Sequence, residues 1–137
     1  MLLPEHVVAL NDVIAALLDA EALYLELARD LEGPITASLT RLAEARAGMR
    51  GDLELLVREL GELPESSGTP GSEVGRTASR VATAVSADAT AAAREAVASS
   101  EEELHARVQA ALEQEQPPDA RALLERLREE LAAATPG

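Results

Sequence analysis

No cysteine occurs among the 137 residues, and phenylalanine and tryptophan are absent as well, which leaves Tyr24 as the sole aromatic side chain. Without thiols the chain forms no disulfide, offers no thiolate to a metal and has no cysteine nucleophile. It also lacks runs of β-branched and aromatic residues in alternation, the material from which strands are made. Positive charge is scarce: 12 basic residues stand against 25 acidic ones, for a net charge of −13. A surface of that sign repels nucleic acid and anionic lipid, so neither is an expected partner. Long apolar runs are missing too, since none approaches the roughly 20 residues that span a bilayer. The opening "MLLPEHVVALND" has neither the basic start nor the apolar core of a secretory signal, and a cytoplasmic location is the expectation.

What the chain does have is alanine and leucine, which supply most of its 47% hydrophobic content and suit closely packed helices. A first helix is expected over about 4–31. Pro4 fits its first turn, and Gly33 and Pro34 follow its end. At 1.5 Å per residue it is a rod about 42 Å long. One narrow face reads Leu10, Ile14, Leu17, Glu21, Tyr24, Ala28, Leu31, in steps of four and three. A second helix, over about 34–60, has a matching face of Ile35, Leu39, Leu42, Arg46, Met49, Leu53, Leu56 and Leu60. The short break between the two makes them an antiparallel hairpin. Residues 61–86 begin with the Gly-, Pro- and Ser-rich "GELPESSGTPGSEVG" and have the length of a crossover. A short helix inside it would carry Val74, Ala78, Val81 and Val85 on one side. A third long helix is expected over about 87–115, with Val97, Glu101, Leu104, Val108, Ala111 and Leu112 inward. After "QPPD" a fourth, over about 118–134, turns Leu124, Leu127 and Leu131 inward. The whole reads as one all-α domain, 1–137, an antiparallel four-helix bundle with one long crossover. The fourth helix is only about 25 Å long, so part of the first two should stay uncovered and apolar.

Three charged residues interrupt these apolar faces: Glu21, Arg46 and Glu101. An isolated buried carboxylate costs several kcal/mol unless compensated. Antiparallel pairing of the first two helices puts Glu21 and Arg46 near one level. One reading is therefore a buried Glu21–Arg46–Glu101 cluster with the Tyr24 hydroxyl as a further donor, since the planar guanidinium suits bidentate pairing with carboxylates. A second reading puts Glu21 or Arg46 at a thin edge, reaching water by a flexible stem.

The stretches "LNDVI", "DAEALY", "LAEARAGM" and "SSEEELHARVQAALEQEQPPDARALLERL" together resemble a bacterial family of domains of unknown function with a ferritin-like four-helix bundle. The resemblance implies the crossover topology and, through distant ferritin and rubrerythrin relatives, a link to stress responses. It also implies a third reading of the interrupting acids. Ferritin-like proteins hold two iron or manganese ions with a single Glu from each of two helices and Glu-x-x-His pairs from the other two. Glu21 and Glu101 fall where the resemblance would place the single-Glu ligands. The Glu-x-x-His position on the second helix is filled by Arg46 and Met49, neither of which binds a hard dication, and the fourth helix has no inward pair. "EELH" supplies Glu102 and His105, but with Glu101, Leu104 and Val108 inward, Glu102 faces away and His105 only flanks. His6, at the start of the first helix, carries no signal.

No Ser-His-Asp set, phosphate-cradling glycine loop or open cleft with paired carboxylates accompanies these residues. The expectation is a non-catalytic bundle without cofactor, working as a homodimer or on a helical partner; the alternative is an iron- or manganese-binding protein using Glu21 and Glu101.

Overall fold

The computed structural model describes residues 3–69, 74–82 and 86–134. Among them every regular element is helical: α1 (Glu5–Asp30), α2 (Pro34–Glu59), α3 (Val74–Ala82), α4 (Ser86–Leu112) and α5 (Pro118–Ala134). The boundaries follow local chemistry. Pro34 starts α2 directly after Gly33, whose φ of 96° turns the chain back on itself. At the far end of α2 the Gly61 N–H donates to the Arg58 carbonyl and the Glu62 N–H to that of Val57. This is a Schellman cap, and it needs the left-handed φ of 83° that Gly61 adopts. The third long helix stops at Leu112, three residues short of the expected end. There Glu113 and Gln114 donate back over three residues and tighten the chain before the two prolines. The crossover does contain a short helix; Val85, expected on its inner face, lies outside the described residues.

The long crossover returns along α1, tied to it by two side chains two turns apart. Asn11 accepts from the Glu65 N–H at 2.8 Å, and the Asp19 carboxylate accepts from the Thr69 N–H at 3.1 Å. Gly68 makes the second tie possible, because a Cβ there would sit 2.1 Å from Asp19 Oδ1. The chain then passes through α3, which packs on α1 and α4, and descends through α4 antiparallel to α1. At the lower end the Gln116 amide donates to the His6 carbonyl at 3.2 Å. Finally, α5 climbs between α4 and α2, and Arg126 reaches Asp52 at 2.7 Å.

These neighbours correct the expectation of a narrow seam on the first helix. Because α1 meets α2, α3 and α4, it buries Val7, Val13, Ala16, Ala20, Leu23 and Leu27 in addition to Leu10, Ile14, Leu17 and Tyr24. At about 1.5–3 kcal/mol for each fully buried large aliphatic side chain, α1 is the main hydrophobic anchor of the fold. The uncovered stretch is displaced for the same reason. The crossover and α3 shelter α1, so the gap left by the short α5 opens between α2 and α4.

Candidate functional site

Arg46 leaves the middle of α2 pointing inward, four residues before Arg50 and three before Met49. Its guanidinium grips Glu101 of α4 side-on through the two donors of one edge: Nε donates to Oε2 at 3.1 Å and Nη2 to Oε1. A third donor, Nη1, lies 3.4 Å from the Met49 sulfur. Only 2% of the Arg46 side chain and 10% of the Glu101 side chain reach solvent. The Tyr24 hydroxyl, brought in from α1, donates to Glu101 Oε2 at 2.6 Å. Its own oxygen is 3.0 Å from Ser100 Oγ, and since the phenol proton goes to the carboxylate, Ser100 is the donor of that bond. Burial, reinforced by the negative charge of Glu101, pushes the Tyr24 phenol far above its ordinary pKa. A chain of hydrogen bonds thus runs Ser100–Tyr24–Glu101–Arg46 across three helices.

Glu21 is not part of it. Its carboxylate accepts instead from one edge of Arg50, with Nε donating to Oε2 at 2.5 Å and Nη2 to Oε1 at 2.9 Å, and Arg50 Nη1 donates to Glu54 at 2.9 Å. The expected Glu21–Arg46 contact fails because Arg46 turns toward α4, whereas Arg50, one turn on, lies at the α1–α2 margin. There 25% of the Arg50 side chain and 14% of the Glu21 side chain are exposed. The hydrogen bonds that Arg50 donates to Glu21 raise its pKa further. Arg50 and Ser100 were not marked by apolar periodicity. Arg50 had a readable signal in its four-residue spacing to Glu54, a helical ion pair; Ser100 had none.

The donor set does not fit a pair of metal ions. Glu21 and Glu101, the two carboxylates in question, are each gripped on both oxygens by a guanidinium that stays protonated. Among the described residues no three His, Asp or Glu side chains converge as a ligand set. Glu102 is exposed and His105 half-buried on α4, and His6 is half-buried at the start of α1.

Two hollows touch the network. One, of about 580 Å³, lies between α1, α3 and α4 with Ser100 on its wall and Asp19, Glu95 and Arg107 around it. The other, about 670 Å³ and largely apolar, occupies the space beyond the end of α5, with Ile35, Leu39 and Leu42 of α2 on one side, Val97 and Ala98 of α4 on the other, and Leu131 at its end. Glu101 reaches its floor.

A family model described as a domain of unknown function (DUF2383) matches residues 5–114. The chain belongs to that family. The DUF2383 span covers α1 through α4, and so contains every member of both arginine–carboxylate clamps, and it stops short of α5. No curated protein and no solved structure matches the chain.

Proposed function

We propose that this DUF2383 chain is a non-catalytic, ferritin-like four-helix bundle that works by associating with a second copy or another helical protein. In this reading α1, α2, α4 and α5 are the four helices, α3 belongs to the crossover, and residues 1–137 act as one domain. The positions that would hold iron or manganese in a ferritin-like centre are given over to charge pairing within the bundle. The observation that carries the reading is the guanidinium of Arg46, buried and bound to Glu101 on both oxygens. A fixed positive charge there repels a dication and occupies the carboxylate that would bind it. The polar groups of the network are turned toward one another, which suits a locked core better than a site of reaction. Association is supported by the apolar hollow beyond α5, which no part of the described chain covers. Among the described residues no helix is long and apolar enough to cross a membrane. The resemblance adds a stress-linked setting in bacteria.

Anaerobic calorimetric titration with ferrous and manganous ions tests the metal half of this proposal. No stoichiometric heat is expected. Stoichiometric uptake that disappears in Glu101→Ala would overturn it and make the chain a metal-binding member of the ferritin-like group.

A further inference from the structure

The hollow beyond α5 exists because α5 has 17 residues where α2 has 26, leaving about 14 Å of the α2–α4 groove without a fourth wall. Its floor offers no free charge, as both oxygens of Glu101 are taken by Arg46 and Tyr24. Free charge stands only on the α4 side of the rim. Arg94 and Glu102 are both exposed, both border the hollow, and neither has a hydrogen-bond or ion-pair partner among the described residues. They are opposite in sign, and Ala98, exposed and small, lies midway between them. The three form one i, i+4, i+8 ridge of the helix.

That arrangement is its own complement. A two-fold axis through the level of Ala98 sets two α4 helices antiparallel, with Arg94 of each copy level with Glu102 of the other. Such reciprocity is what a closed two-fold interface requires. We infer that the occupant of the hollow is a second copy of this chain, with α4 packed against α4 across Ala98 and the two Arg94–Glu102 pairs closing the rim. The side chain of alanine lets the helices approach closely, and the half-buried Ile35 and Leu42 gain a cover that α5 does not supply. The charge balance favours this occupant over others. A chain of net charge −13 repels its own copies over most of its surface, but the Arg94–Glu102 ridge sums to zero and meets its copy with attraction. An ionic ligand of one sign would leave one of the two rim charges unanswered.

The inference rests on the proposed self-association and specifies its surface. Sedimentation equilibrium comes first, with a concentration-dependent dimer expected. Arg94→Glu should raise the dimer dissociation constant at least about tenfold, because two like-charge pairs replace two attractive ones. The swap Arg94→Glu with Glu102→Arg should restore it. Both side chains are exposed and unpaired, so the helical circular dichroism of each variant should match the parent. In this cysteine-free chain, Ala98→Cys should form an interchain disulfide on air oxidation, because only facing residues bring their Cα atoms within about 4.4–6.8 Å. Gly48→Cys, on the open outer face of α2, should remain uncrosslinked. A dimer that ignores the charge variants and does not crosslink at residue 98 would keep self-association and overturn this surface. A chain that is monomeric at every concentration would overturn both, leaving the hollow to a different helical protein.

Discussion

The two arginine–carboxylate clamps use the same chemistry one helical turn apart on α2, yet they are not equivalent. Arg46 holds Glu101 with 2% and 10% of the side chains exposed; Arg50 holds Glu21 with 25% and 14% exposed. The inner clamp joins α2 to α4 through the centre of the fold and recruits Tyr24 from α1. The outer clamp joins α2 to α1 at their margin and recruits Glu54 from its own helix. Water makes the difference. At the margin either partner, left alone, turns its charge to solvent. In the centre neither can, so the inner pair contributes little net stability as a pair but a large penalty when split. That is the behaviour expected of a device that fixes which helix faces meet.

Breaking the inner clamp should have the largest effect. Arg46→Ala strands Glu101 and leaves a hollow beside Met49, and a loss of about 3–5 kcal/mol is expected in denaturant unfolding. Little dependence on salt should accompany it, as buried charges are weakly screened. A loss below about 1 kcal/mol would mean that water enters the centre and that the two clamps are alike. Breaking the outer clamp sets the other end of the scale. Arg50→Ala should cost about 0–1 kcal/mol, and that difference should shrink further as salt is raised. A large, salt-independent loss would erase the distinction from the opposite side.

The sequence made the long helices legible because their punctuation is strong. Pro34, Gly61 and the Pro117–Pro118 pair mark ends that lie within a few residues of those observed, and leucines at steps of three and four mark their inner faces. The extent of burial on α1 was not legible, since it depends on how many neighbours the helix has, and the crossover that brings α3 against it is tied by Asn11, Asp19 and Gly68 rather than by apolar periodicity. The charged interruptions at Arg46 and Glu101 stood out against apolar faces. Their partners were harder to read. A long arginine side chain can reach a full turn along its helix, so the level of Glu21 did not separate Arg46 from Arg50. Which neighbouring helix each arginine turns toward decides the pairing, and that is a property of packing.

Tyr24 is the only aromatic residue in the chain, so its ionisation can be followed by near-ultraviolet absorbance without interference. Its folded pKa is raised above the ordinary value of 10.0, first by burial and then by Glu101. The protonated phenol therefore stabilises the fold fully below pH 10.0, and this contribution is lost as pH rises beyond it, where the unfolded chain releases the proton and the folded chain keeps it. An alkaline titration recorded together with helical circular dichroism is the most direct test of the buried network. The phenol should stay silent as the pH passes 10.0 and ionise only as the helices melt. Smooth, reversible ionisation near that pH with the helices intact would contradict the account, because it would place Tyr24, and with it Glu101 and Arg46, in contact with water.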